Sequence, residues 1–150
     1  MPQSFGSIQM HLVFSTKGRE PWIVPDLAQR LYEYIGGTLR GNKCTLLDAG
    51  GIPDHVHLLI SLSREMSTAD LARIVKSSSS KWIHDTFPSM GYFAWQAGYG
   101  AFSVSYSEID GVRRYLAKQE EHHRKMTFQD EYRTFLRKHD LEWDEKYVWD

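Results

Sequence analysis

Apolar positions along the first two thirds of the chain switch between runs that suit a strand and spacings that suit a helix. "SIQMHLVFST" (7–16) is dense in apolar, β-branched and aromatic residues and predicts a first strand. "GREPWIVP" interrupts it, and beyond Pro25 the residues Leu27, Leu31, Tyr34, Ile35 and Leu39 recur at helical spacing; Gly36-Gly37 weakens that helix without forbidding it. "KCTLLDAGGI" and "DHVHLLISL", separated by Pro53, predict a hairpin. A helix follows over 67–87, with Ser67 or Thr68 as N-cap and Leu71, Ile74, Val75, Trp82 and Ile83 as its stripe. The run Ser77 to Ser80 stays in the helix because the apolar spacing resumes in register beyond it.

Between 96 and 107, Phe102, Val104 and Tyr106 alternate with Ser103, Ser105 and Ser107, the pattern of a half-buried strand. "EIDGVRRYLAKQEEHHRK" reads as one further helix and "FQDEYRTFLRKHD" as another, N-capped by Thr127. "LEWDEKYVWD" is expected to pack back as an extended tail. The order strand, helix, strand, strand, helix, strand, helix, helix predicts one domain over 1–150, with 126–150 as its C-terminal helix and tail. Its class is α+β: a two-layer, ferredoxin-like antiparallel sheet with helices mainly on one face.

With 41% hydrophobic and 25% charged residues in 150, the chain can bury a core, which argues against disorder. No stretch approaches the roughly 20 apolar residues of a membrane span, and the N-terminus lacks a signal pattern. The single cysteine, Cys44, sits in an apolar run. A cytoplasmic protein is expected. The net charge of -1 argues at first against a nucleic-acid partner, but its distribution changes the picture. Residues 126–150 hold seven acidic against four basic side chains, whereas 111–125 hold Arg113, Arg114, Lys118, Arg124 and Lys125 against Glu120 and Glu121. A basic patch therefore survives a neutral total.

His55 and His57 flank Val56 on a strand, so both imidazoles point to the same face and suit a metal ion. A pair of hydrogen-bonded structural histidines satisfies the same pattern. On the later helix, Tyr115 and Gln119 are four residues apart, and His122 follows seven residues after Tyr115, so the three line one polar edge beside the apolar stripe of Ile109, Val112 and Leu116. A tyrosine at the core margin with its hydroxyl in water fits equally well. Adjacent His122 and His123 diverge by about 100° and do not readily share an ion.

Together, "HLVFSTKGR", "PDHVHLLISL", "WQAGYGAFSVS", "VRRYLAKQEEHH" and "FQDEYRTFL" resemble the single-tyrosine HUH transposases of small bacterial insertion sequences, including their domesticated repeat-associated relatives. The resemblance runs over nearly the whole chain with the motifs in family order. It implies a metal-dependent endonuclease and strand transferase acting on single-stranded DNA. Tyr115 would be the nucleophile and form a 5′-phosphotyrosine; His55, His57 and Gln119 would be the ligands of Mg²⁺ or Mn²⁺. It further implies hairpin-containing element ends as partners and a homodimer in which the tyrosine often comes from the other subunit. Charge and position add Lys17, Arg19, Arg73, Lys76 and Lys81 as DNA-binding candidates. Two other readings stand beside this one: a domesticated hairpin-binding protein with little or no strand transfer, and an unrelated metallohydrolase, which leaves Tyr115 unexplained.

Overall fold

A computed structural model describes residues 2–150. The elements are β1 (Gln9–Ser15), α1 (Pro25–Gly41), β2 (Thr45–Ile52), β3 (His55–Ser61), α2 (Thr68–Thr86), β4 (Gly100–Val104), α3 (Ile109–Ala117), α4 (Gln119–His123) and α5 (Phe128–Lys138). The strands form one antiparallel sheet in the order β2-β3-β1-β4. That is the βαββαβ arrangement of a ferredoxin-like fold, an α+β architecture, followed here by three short helices.

Alternation along the two central strands separates two environments. Met10, Leu12 and Phe14 of β1 and Val56, Leu58 and Ile60 of β3 face α1 and α2, meeting Leu31, Ile35, Leu39, Leu71, Val75 and Ile83 in the larger core. Each such side chain, taken out of water, contributes about 1.5–3 kcal/mol. The opposite face carries His11, Val13, Ser15, His55 and His57, all buried. Here α5 lays Phe128, Tyr132 and Leu136 against Val13 and Phe102. One face of the sheet is thus an apolar foundation under the two long helices, and the other is a polar floor roofed by the short ones. Polar groups at that depth must be paired, and among the described residues no buried side-chain nitrogen or oxygen lacks a partner.

Local signals place most of these elements. Pro25 occupies the first turn of α1, which runs through Gly36-Gly37. Ser67 caps α2 by accepting from the Asp70 amide at 3.1 Å. The serine run is helical, and the hydroxyl of Ser79 is buried and accepts from Trp95 Nε1 at 3.0 Å. Thr127 caps α5 through the Asp130 amide at 3.1 Å.

Three expectations are corrected. The strand predicted over 96–107 is only Gly100–Val104, and Tyr106 lies in an exposed turn outside the sheet. The single helix expected through Tyr115 and His122 is broken at Lys118, whose φ of -106° and ψ of 18° leave the helical region. The tail is folded into turns that pack Trp143, Val148 and Trp149 on the α5 core. Glu145 gathers these turns by accepting from Arg133 Nε at 2.6 Å and from Trp143 and Trp149 Nε1, each at 3.0 Å.

Candidate active site

The two-residue turn Pro53-Asp54 joins β2 to β3 and fixes where the histidine strand begins. The β1 end holds the turn, with the Thr16 amide donating to the Asp54 carbonyl at 2.9 Å. The Asp54 carboxylate, at the edge of the site, accepts from His55 Nδ1 at 2.6 Å. On the neighbouring strand, His11 Nε2 lies 2.7 Å from His57 Nδ1. The outward nitrogens of both imidazoles are therefore occupied, and their Nε2 atoms turn inward, 3.1 Å apart.

Three further side chains close on the same point. Gln119, the first residue of α4, brings its Oε1 to 3.1 Å from His55 Nε2. His123 donates from Nδ1 to the Met126 carbonyl at 2.7 Å, which leaves its Nε2 facing Gln119 Oε1 at 3.0 Å. Glu131 of α5, only 2% exposed, places Oε1 at 2.9 Å from His57 Nε2, 3.3 Å from His55 Nε2 and 3.2 Å from His123 Nε2. Its second oxygen, Oε2, accepts from the Tyr115 hydroxyl and from Gln119 Nε2 at 3.2 Å, and lies 3.1 Å from His122 Nε2.

The chemistry of this set fits a divalent cation. Ligand nitrogens and oxygens of His55, His57, His123 and Glu131 all lie within 4.8 Å of one another. Neighbouring vertices of an octahedron with bonds of about 2.1 Å are about 3 Å apart, which matches the separations above. Each histidine has its remote nitrogen engaged by a carboxylate, a carbonyl or another imidazole, the usual outer support of a metal-binding histidine. Inward-facing lone pairs on this many groups need a cation, or protons, between them.

Electrostatics agree with that demand. Burial opposes a charged His55, yet hydrogen bonds to Asp54 and Glu131 outweigh it and raise its pKa. Burial holds His57 down to about 4, against the pull of Glu131. Burial would raise the Glu131 carboxyl, but hydrogen bonds from His123, His55 and His57 bring it well below the usual carboxylate range. Tyr115 is pushed up by burial and by the Glu131 charge, so its phenol stays protonated at neutral pH.

Of the residues singled out in the sequence, His55, His57, Gln119 and Tyr115 come together within one chain, with the Tyr115 and His57 rings 5.9 Å apart. The break at Lys118 does not separate Tyr115 from Gln119, because both reach Glu131 Oε2. His122 and His123 do diverge: His122 lies beside the tyrosine hydroxyl at 3.3 Å, and His123 turns to the cluster. Glu131, His123, His11 and Asp54 were not singled out as site residues by the motifs. Glu131 had a signal, since it stands one position before Tyr132 in the buried stripe of Phe128, Tyr132 and Leu136, where an acid has no packing reason to be.

The cationic candidates are dispersed. Lys17 and Arg19 lie on the turn after β1, and Arg19 stacks over Trp149 at 5.8 Å. Arg73, Lys76 and Lys81 belong to α2, across the sheet from the histidines. Arg73 pairs with Asp70 at 3.6 Å and Lys81 with Asp85 at 2.5 Å. Lys76 donates to the carbonyls of Ala97 and Gly98, both at 2.8 Å, and burial lowers its pKa to about 8.

A ferredoxin-like sheet whose inner strand presents His-hydrophobic-His to a helix-borne tyrosine defines an enzyme of the HUH, single-tyrosine kind. The family model described as "Transposase IS200 like" matches residues 4–119, and the chain belongs to that family. It is 23% identical over 117 residues to the ISDra2 transposase TnpA of Deinococcus radiodurans, covering 75% of this chain and 84% of that one. A crystal structure of a transposase from Deinococcus radiodurans R1 matches with a TM-score of 0.64 and 24% identity, over 79% of this chain and 98% of that chain. A tyrosine transposase associated with REP sequences, bound to a REP hairpin, matches with a TM-score of 0.60 and 12% identity, over 82% of this chain and 73% of that chain. At these identities the structural likeness is one of fold. Glu131 and α5 lie beyond the matched family region. Among the described residues no helix is long and apolar enough to cross a membrane.

Proposed function

We propose that this transposase is a metal-dependent endonuclease and strand transferase acting on single-stranded DNA, with Tyr115 as nucleophile. The observation that carries the reading is the Tyr115 hydroxyl on Glu131 Oε2 while Glu131 Oε1 lies 2.9 Å from His57 Nε2, a nucleophile and a cation-type site joined by one carboxylate. His55, His57 and Gln119, with His123 and Glu131, are the residues that would hold Mg²⁺ or Mn²⁺. An ion bound there supplies charge stabilisation to the non-bridging phosphate oxygens and orients the scissile bond. The imidazole content of the set favours Mn²⁺.

The chain's own groups account for the proton. A phenol that stays protonated must lose its proton as it attacks; His122 Nε2, 3.3 Å from the hydroxyl, is the acceptor placed to take it, while Glu131 Oε2, held well below the usual carboxylate range, orients the hydroxyl by accepting its hydrogen bond. The tyrosine oxygen bonds to phosphorus, the bond from phosphorus to the 3′ oxygen breaks, and that oxygen takes up a proton as the free 3′-hydroxyl. The product is a 5′-phosphotyrosine, and the reverse attack by a 3′-hydroxyl rejoins DNA without an external energy source. Hairpin-containing ends are the proposed partners, consistent with the hairpin bound by the REP-associated relative. A homodimer would hold two such ends together, and solution mass tests that assembly.

Incubation with labelled single-stranded hairpin DNA and Mg²⁺ or Mn²⁺ should give a covalent adduct on a denaturing gel. Tyr115→Phe should abolish it, and His57→Ala should reduce it severely. An adduct that persists in Tyr115→Phe sinks the nucleophile assignment. No adduct from the unaltered protein across many hairpins would leave the binding-only reading.

A further inference from the structure

Beside the tyrosine, on the solvent side of α3 and α4, an open groove of about 470 Å³ is bordered by Arg114, Lys118 and Lys125. Its volume lies within the ~300–1,000 Å³ of ordinary ligand sites. All three cations are exposed, and none takes part in an ion pair among the described residues. The contrast with α2 is sharp, where Arg73 and Lys81 are each neutralised by an aspartate within one turn.

We propose that this groove is the path of the single-stranded DNA backbone next to the phosphate that Tyr115 attacks. The proposal rests on the strand-transfer reading and adds to it the residues that carry the substrate. Three features of the groove support it. Tyr115 forms part of its wall, so a strand lying there passes the nucleophile. Arg114 adjoins Tyr115 on α3, and Lys118 is the residue at the break before Gln119, so both cations are fixed relative to the nucleophile and the cluster. Met126 and the Tyr115 ring give the same groove an apolar wall for unpaired bases, which a duplex does not expose.

Glu121 also borders the groove and subtracts one charge, which leaves a surplus of two. That surplus is local. With a net charge of -1 the whole molecule does not attract DNA from a distance, so the contacts in the groove must do the work.

The test uses the full chain without divalent metal, so that no strand is cut, and a fluorescent oligothymidylate as probe. Binding is followed by anisotropy across a series of salt concentrations. Arg114→Gln/Lys118→Gln/Lys125→Gln should bind at least about tenfold more weakly at 0.1 M salt than the unaltered protein. The slope of log affinity against log salt should fall by about 2, the value for three lost contacts to a single strand. Arg30→Gln/Lys43→Gln/Arg64→Gln removes the same charge from exposed positions that do not border the groove and should leave both quantities unchanged. The proposal is overturned if the two triple variants weaken binding equally, or if the groove variant keeps the original slope. If the unaltered protein forms the covalent adduct while the groove variant binds normally, only the groove fails. If the unaltered protein binds neither oligothymidylate nor hairpin DNA, the strand-transfer reading fails with it.

Discussion

The hydroxyl of Tyr115 donates to the carboxylate of Glu131, a residue 16 positions further along the chain and on a different helix. The same carboxylate touches His57 with its other oxygen, so one side chain ties the tyrosine helix to the histidine strand. The register of α5 makes this contact. Thr127 caps the helix, Phe128 and Tyr132 bury their rings against the sheet, and Glu131 between them is directed to the same floor. Packing of apolar neighbours thus positions a charge that packing alone would exclude.

Replacing Glu131 by Gln preserves shape and removes the charge. The amide nitrogen cannot accept from Tyr115 or from the histidines. Affinity for Mn²⁺, read by electron paramagnetic resonance of the free ion, should fall about 10–100-fold, with a comparable loss in the rate of adduct formation. Unchanged metal affinity would make Glu131 a packing residue of α5.

His11 supports the site without reaching its centre. Its Nε2, 2.7 Å from His57 Nδ1, holds the imidazole with Nε2 inward. The ring is also packed against Phe135, with centroids 5.0 Å apart. His11→Phe keeps the packing and removes the hydrogen bond, so metal affinity should drop about tenfold while the fold persists. Calorimetric titration with Mn²⁺ measures the drop, and equal affinities would assign His11 to packing alone.

Acid should destabilise the metal-free protein in two stages. Burial holds His57 at about 4 and, with the nearby His57 charge, His11 at about 3, whereas His55 is raised above 6.5 because hydrogen bonds to Asp54 and Glu131 outweigh its burial. As pH falls from 6.5 toward 4, the unfolded chain takes up protons at His11 and His57 that the folded chain refuses, while His55 is protonated in both states and leaves the slope unchanged; its own contribution, complete below 6.5, is lost as pH rises through its folded value. The difference approaches two protons and lowers stability by about 3 kcal/mol per pH unit. Below the ordinary Glu value of 4.5, the depressed Glu131 adds a further loss, since its contribution, full above that value, declines steadily as pH falls from there toward its folded value. His11→Phe should about halve the slope of the first stage, because His57 alone then binds a proton in the unfolded chain and not in the folded one. Urea unfolding at pH 7, 6 and 5 with chelator present measures the slope, and a slope unchanged by His11→Phe would contradict this assignment.

Much of this arrangement was legible in the chain. Strand alternation put His55 and His57 on one face, and the order of elements gave the ferredoxin-like sheet, because both depend on local periodicity. What local periodicity could not show was the break at Lys118, since the apolar spacing of Ile109, Val112 and Leu116 says nothing of where the helix stops. Nor could it show which elements meet. His11 joins His57 by strand pairing between residues 46 positions apart, and Glu131 arrives through the packing of α5. The lysines and arginine of α2 were plausible by charge, but the side of the sheet on which that helix packs is a tertiary fact. The acidic tail, expected to pack back in extended form, packs back as turns gathered around Glu145.

Gly50 sets how closely the tyrosine helix approaches the sheet. It pairs with His57 across β2 and β3, and a Cβ placed on it would lie 2.6 Å from the Leu116 carbonyl oxygen, a backbone atom that cannot swing aside. Gly50→Ala must therefore push the end of α3 outward. Leu116 lies directly after Tyr115, and Gln119 begins the next helix, so the displacement passes to both. Overpacking of this kind costs about 1–3 kcal/mol, and a displacement of about 1 Å at the chemistry can cost on the order of 100-fold in rate. Urea unfolding should report the first and adduct formation the second, with Mn²⁺ affinity reduced less because His55 and His57 stay in place on β3. If Gly50→Ala forms adduct at the original rate, close approach of α3 to the sheet is not what holds Tyr115 in register with the histidines.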